Sequence, residues 1–418
     1  MTFFPQRFYE FSLGVTLLIQ VLFPKLIPVG IILIALSVIA LGIKRELRLC
    51  TTKVHLFFVL FYLAYVVGVF FTEVPKEAAH VLESKMSFVI FPVLFLFIPK
   101  RKVDFTPSIW LFSGALIVLF IWGIVSSMQC FRTSGSSSCF VSTPFSPIHH
   151  PTYTAIYYLT GFFMILRARK VGLKGFNRRI VLFLSIIFIA GYLLCMSLSA
   201  LLFLLGLIVI LGFIWFRGRF GTWKSIGMVV VMSIGLIVAV EQSKDTISDV
   251  EYTYNSVKEY LKSPKEFVKK ADRYLVGNEE RLVLWTISAE AIAAHPFGYG
   301  TGNIDVVIGN KLRSYGLNSM AEKNFNPHNQ YLQTCIELGI LGVTVLIGLF
   351  IMILKFAVKH RNITLLILTT SFIFNALFES MFQRQSGIVF FTLIVFFMIL
   401  ESLNQNQSGE KLTLRQEN

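Results

Sequence analysis

Charge is scarce in this sequence of 418 residues. Only 15% are Asp, Glu, Lys or Arg, against 55% hydrophobic and 15% aromatic, which excludes a soluble enzyme obliged to cover its core with polar surface. Acidic residues are the scarcer half, 23 against 38 Lys and Arg, for a net charge of +15. No Asp-x-Asp pair occurs anywhere, so the usual carboxylate pair for a metal-bound diphosphate has no candidate, and neither a metal nor a cofactor is expected. No nucleic-acid motif accompanies the basic residues, so nucleic acid is not an expected partner. The first apolar run has only Arg7 before it and no small-residue cleavage site after it; it is expected to be a retained span and not a signal peptide. Cysteines number five. Cys130 and Cys139 share one loop, where a disulfide across Phe131 to Ser138 is expected, against the alternative of two free thiols.

Apolar runs are what the chain has in abundance. Leu26 to Ile43, Val54 to Phe71, Ile109 to Ser127, Ile180 to Leu198 and Ala200 to Phe216 each approach the roughly 20 residues that a helix needs to cross hydrocarbon. Weaker candidates lie near residues 8 to 24, 84 to 99, 152 to 167, 225 to 240, 330 to 354, 363 to 379 and 387 to 402, for about twelve spans in all. The expected fold is an all-α polytopic membrane helical bundle. Orientation follows from Lys and Arg, which accumulate in short cytoplasmic loops. They cluster at Lys44, Arg45, Arg48 and Lys53; at Lys100 to Lys102; from Arg167 to Arg179; at Arg217, Arg219 and Lys224; and at Lys355, Lys359 and Arg361. About half the basic residues fall there, so topology and anionic lipid account for the net charge. Every second loop is then cytoplasmic, both termini lie inside, and loops near 73 to 83, 128 to 151, 241 to 329 and 380 to 386 lie outside. Residues 1–240 would hold nine spans, 241–329 a large helical extracytoplasmic loop, 330–403 three more spans, and 404–418 a cytoplasmic tail.

The long loop is the informative part. Ser263-Pro264-Lys265-Glu266 reads as a capping box opening a helix with Phe267, Ala271, Tyr274 and Leu275 on one apolar stripe. Asn278 begins another, with Glu279 and Glu280 in its first turn and an end near His295-Pro296. Arg281, Trp285 and Ser288 share a face of it, either as a surface ion-pairing position or as a guanidinium and an indole pointing one way. Gly298, Gly300 and Gly302 mark a turn that either serves the fold or offers amides to an anion; with no P-loop ending and no preceding strand, the structural reading is preferred. His328 sits at the membrane lip, where imidazole suits proton transfer near neutral pH, although helix capping is the commoner use. Glu337, a turn or two into the next span, needs a partner. Glu379 and Arg384 stand in another short outer loop at the same level.

The string Pro327-His328-Asn329-Gln330-Tyr331-Leu332, followed by Glu337-Leu338-Gly339-Ile340-Leu341-Gly342, resembles the most recognisable segment of the O-antigen ligase and polymerase superfamily. Arg281 with Trp285, then His295-Pro296 and Gly298-x-Gly300-x-Gly302, resembles the segment before it, in the same order. Phe378-Glu379-Ser380 with Arg384-Gln385-x-Gly387, and His150-Pro151-Thr152-Tyr153, are similar to elements of a Bacteroidota-type branch. Where many members carry Ser-Arg, this chain has Ser197-Leu198-Ser199-Ala200; either another cation such as Arg384 or Arg273 takes the place of that arginine, or a different donor is bound.

The resemblance implies an O-antigen ligase-type glycosyltransferase in the bacterial inner membrane, with its active side periplasmic. Its donor would be a glycan on undecaprenyl diphosphate, its acceptor a hydroxyl of lipid A core or of another glycan, and its reaction metal-independent and inverting. Arg281 would bind the diphosphate leaving group and His328 would orient or deprotonate the acceptor. Asn329, Tyr331, Trp285, Arg384, Glu379, His150 and Tyr153 would line the substrate pocket. A polymerase of the same superfamily is the alternative. A transporter or flippase is disfavoured, since no paired interrupted segments recur in two halves of the chain.

Overall fold

A computed structural model describes residues 3–224, 227, 254–270 and 278–416. The expected span at 225–240, with Ala271, Arg273, Tyr274 and Leu275, lies outside the described residues. Helices dominate: α1 (Phe3–Leu22), α2 (Ile27–Ile43), α3 (Lys53–Gly68), α4 (Pro75–Lys85), α5 (Ser87–Phe95), α6 (Thr106–Ser134), α7 (Pro151–Lys170), α8 (Arg178–Leu194), α9 (Leu198–Phe220), α10 (Pro264–Lys270), α11 (Asn278–Ala294), α12 (Ile304–Ser314), α13 (Gln330–Lys359), α14 (Ile363–Asn375) and α15 (Gln385–Gln416). Seven helical segments among the described residues are long and apolar enough to cross a membrane, and α14 is a shorter apolar helix. Helices α1, α7 and α8 occupy three further expected spans. The chain is a polytopic helical membrane protein.

Two local expectations change. Most of the stretch expected as an outer loop near residues 73 to 83 is helical, in α4: Pro75 supplies a pre-set φ at its start, and α4 and α5 together make one segment of membrane-crossing length, Pro75–Phe95. The basic loops after α2 and α5 pair as a short antiparallel ribbon, β1 (Leu47–Leu49) with β2 (Phe97–Pro99), Arg48 opposite Ile98. The disulfide between Cys130 and Cys139 is present.

Helix α15 is the centre of the bundle, with Ile388 to Leu400 almost wholly buried. Lipid tails are as apolar as Phe, so close packing holds such a core together more than escape from water does. Interlocking rings supply it: Phe391 lies 4.5 Å from Phe372 and 5.2 Å from Phe382, and Phe382 lies 5.3 Å from Phe88, centroid to centroid. At the basic end of the bundle Arg167 Nε donates to Glu401 at 2.6 and 2.7 Å, tying α7 to α15. At the other end α10, α11, α12 and the start of α13 enclose a second core, built on Val268, Val283, Leu284, Ile287, Ile308, Leu312 and Ile336.

Helix α13 is broken. Gly339 adopts φ 65°, ψ −167°, a conformation nearly restricted to glycine, and this interrupts the ladder of backbone bonds. Unpaired backbone in a membrane is costly, and the glycine-rich turn repairs it. Tyr299 N donates to Ile336 O at 2.8 Å, Gly300 N to Glu337 O at 2.9 Å, and Pro296 O accepts Ile340 N at 3.0 Å. The far side of the turn reaches α3, where Thr301 N donates to Gly68 O at 3.0 Å and Thr301 Oγ1 to Tyr65 O at 2.6 Å. A Cβ on Gly298 would come within 2.5 Å of Gly339 N, and one on Gly300 within 2.6 Å of Phe71 backbone. With Gly298 N on His295 O and Gly302 N on Glu337 Oε1, every amide from 298 to 302 has an acceptor within the protein. The turn therefore serves the fold, and none of those amides is left to hold an anion.

Candidate functional site

The loop before α13 is shaped by Asn326. Its Oδ1 accepts His328 N at 2.8 Å, an Asx turn spanning Pro327, and this holds His328 at φ 45°. A non-glycine residue in that left-handed region carries roughly 1–3 kcal/mol of strain. The stem is fixed on both sides: Trp285 Nε1 donates to Pro327 O at 3.0 Å, and Asn329 caps α13 by accepting Tyr331 N and Leu332 N at 2.9 and 3.0 Å. Asn329 Nδ2 donates to Leu377 O at 3.0 Å and Tyr331 OH to Ile373 O at 3.0 Å, which joins this stem to α14 and the turn after it.

That turn, between α14 and α15, carries Glu379. Its backbone is held by the same few residues: Phe382 N donates to Gln330 Oε1 at 2.6 Å, Ser380 Oγ to Asn326 Oδ1 at 3.2 Å, and Tyr153 OH to Ser380 O at 3.3 Å. Asn326 Nδ2 donates to Gln383 Oε1 at 2.5 Å. The outcome is a facing pair, His328 Nδ1 3.5 Å from Glu379 Oε2, with the His328 side chain 28% exposed and that of Glu379 9%. Burial works to raise the Glu379 carboxyl, but the His328 hydrogen bond and the positive charge of neighbouring groups, the permanent cation Arg281 among them, outweigh it and hold the group below the usual carboxylate value. Glu379 is thus an anion at neutral pH.

His150 closes the group from the start of α7. Burial pushes its imidazole below the ordinary value, and Arg384, Arg281 and His328 push the same way against Glu379, so it is neutral at pH 7. Its Nδ1 is buried without a hydrogen-bond partner, a polar atom left over for something else. Tyr153 packs edge-on to it at 6.2 Å. Thr152 Oγ1 lies 2.8 Å from Ser197 Oγ, so the stretch that lacks the family arginine sits beside this histidine. Arg384, one of the two cations suggested for that role, acts on the same histidine.

The fold brings together His328, Glu379, Arg281, Arg384 and His150. Trp285, Asn329, Tyr331 and Tyr153 surround them with their polar atoms committed to protein partners, while Ser288 turns its hydroxyl back to Leu284 O. Sequence reasoning passed over Asn326, Gln330 and Ser380. An Asn two positions before a histidine, with proline between, was the available sign for the first. His149 was passed over as well. Its Nε2 lies 2.9 Å from Val21 O and its Nδ1 2.8 Å from Ser386 Oγ, joining α1, α7 and α15 directly behind the site.

Burial pushes His149 down to about 4, against the pull of the Val21 carbonyl. An unfolded histidine titrates near 6.5, so the neutral ring adds stability that is complete above that value and lost as pH falls toward about 4, a total of up to about 3 kcal/mol. Thermal unfolding of the detergent-solubilised protein is expected to shift downward across that window. His149→Gln should flatten the dependence, and an unchanged slope in the variant would remove His149 as its source.

Residues 182–347 match the family model described as O-Antigen ligase. That match supports a likeness to the O-antigen ligase and polymerase superfamily over this stretch. The O-antigen ligase match covers α8, α9, the long loop and α13 as far as Leu346 and Ile347, and so contains Arg281, Trp285, His328, Asn329 and Tyr331. His150, Tyr153, Glu379 and Arg384 lie outside the matched stretch and are brought to it by α7 and the turn before α15. No curated protein matches the chain significantly.

Proposed function

We propose that this protein is an O-antigen ligase-type transferase, moving a glycan from polyprenyl diphosphate, usually undecaprenyl diphosphate, to a hydroxyl of lipid A core without a metal. The observation that carries the reading is the His328 imidazole against the Glu379 carboxylate at 3.5 Å, with Arg281, Arg384 and His150 acting on the same group. Glu379 fixes the ring through Nδ1 and leaves Nε2 to take a proton. The acceptor oxygen forms a bond to the anomeric carbon as the bond from that carbon to the diphosphate oxygen breaks. The proton passes to His328, the diphosphate leaves on its lipid, and the anomeric carbon inverts. Arg281 meets the released charge with paired hydrogen bonds, and Arg384 supplies a second cation. His150 Nδ1 is directed to a sugar or diphosphate group, while Trp285, Asn329, Tyr331 and Tyr153 frame the pocket.

The reaction is assigned to the periplasmic face of the inner membrane, with both termini cytoplasmic. The basic loops at the opposite end support this, as does the Cys130–Cys139 disulfide, which belongs in an oxidising compartment. The test is the glycan profile of a deletion strain. A ligase leaves long polymer on the polyprenyl carrier and none on lipid A core. Single repeats on lipid A core would instead make the chain a polymerase, and an unchanged profile would overturn both. In the complemented strain Arg281→Ala is expected to lower transfer by roughly 10²–10³-fold at normal abundance; full transfer would take Arg281 out of the mechanism.

A further inference from the structure

Lys85 ends α4 inside the bundle and is only 2% exposed. A buried ammonium costs several kcal/mol unless it is compensated, so its surroundings matter. Its Nζ donates to Phe382 O at 2.7 Å and stands 4.6 Å from the centroid of the Tyr65 ring. The charge of Glu337, 1% exposed and two residues before the break in α13, acts on it through space, with no direct ion pair between the two. Glu337 is not idle either, since Oε1 accepts Gly302 N at 3.0 Å from the turn that repairs the break.

The position of Phe382 gives these contacts their significance. Its backbone is held on both sides, the carbonyl by Lys85 and the N–H by Gln330 at 2.6 Å, and it lies between Glu379 and Arg384 in the turn that faces His328. Gln330 itself is two residues after His328. Two buried ionisable groups therefore link these elements, Lys85 joining α4 to the Glu379 turn and Glu337 joining α13 to the glycine-rich turn. We infer that Lys85 and Glu337 are positioning residues for the transferase site: the ammonium fixes the Phe382 carbonyl and hence the approach of Glu379 to His328, and the Glu337 carboxyl fixes the glycine-rich turn through Gly302 N. Both are too buried to meet a substrate. This rests on the proposed transferase reading.

The experiment separates stability from rate. Lys85→Met and Glu337→Gln each leave one buried charge uncompensated and are expected to lower the unfolding temperature, whereas the double variant leaves neither and should recover most of it. Transfer is measured in membranes with polyprenyl-diphosphate-linked glycan extracted from the deletion strain. In the double variant the rate at saturating donor should stay at least about tenfold below wild type with KM little changed, because the Phe382 carbonyl is no longer held. A wild-type rate there would make the pair structural only and overturn the inference. Gln330→Met releases the N–H side of the same residue without stranding a charge; it should also lose about tenfold in rate, and an unchanged rate would again overturn the role of the Phe382 backbone. His328→Ala is run beside them. If it transfers normally the transferase reading itself fails, whereas an inactive His328→Ala beside a fully active double variant fails the positioning inference alone.

Discussion

His328→Ala is expected to reduce glycan transfer by roughly 10²–10⁴-fold while the protein inserts at normal abundance. The size follows from what the ring would do. Removing it takes away the only imidazole facing Glu379 at hydrogen-bond reach among the described residues, and with it the proposed proton acceptor. Stability should suffer little, because the stem is held by backbone and by neighbouring side chains: Asn326 on the His328 amide, Trp285 on Pro327 O and Asn329 on α13 survive the change. The measurement is polymer on lipid A core against polymer on the polyprenyl carrier, normalised to membrane-inserted protein. Transfer at wild-type rates would exclude His328 as the base. A variant missing from the membrane would mean instead that the strained backbone needs this side chain in order to fold.

The second large effect falls on the fold. Gly339→Ala is expected to cost several kcal/mol and to remove most folded protein from the membrane. Glycine alone tolerates φ 65°, ψ −167°, and a Cβ there would also run into the backbone of Phe297 in the glycine-rich turn. Either the turn leaves the break in α13, stranding the carbonyls of Ile336 and Glu337, or α13 straightens and drives the turn away from α3. Detergent extraction followed by thermal unfolding reads the result. A variant as stable as wild type would show that α13 can close its ladder without the turn.

Much of the helical plan was legible because membrane spans announce themselves by length and apolarity. Leu26 to Ile43 and Ile109 to Ser127 became α2 and the body of α6 with little adjustment. The helix from Asn278 to Ala294 ended where His295-Pro296 suggested. What escaped has a common cause. Lys85 fell in the span expected near 84 to 99 without being singled out; Glu337, whose charge acts on it, is far away in sequence and no local pattern joins them. His149 was overshadowed by His150, its neighbour, since only the fold reveals that one imidazole has both nitrogens engaged and the other has one to spare. The glycines from 298 to 302 advertised a tight turn, yet the break they fill belongs to another helix. Periodicity reports on one element at a time, and these features each belong to two.

The partners of that turn also bear on how the molecule is made. Gly68 is synthesised early, residues 296–302 late, and the interrupted segment around Gly339 later still, yet all three meet at one place. Chains emerge from the ribosome N-terminus first and their units fold in that order. Until the helix beginning at Gln330 has entered the bilayer, the turn has no gap to fill, and His328, immediately before that helix, has no fixed stem. Completion of the candidate site is thus a late event in biogenesis, reached as about the last fifth of the sequence is threaded home, and a nascent chain halted before that point would be a membrane protein without it.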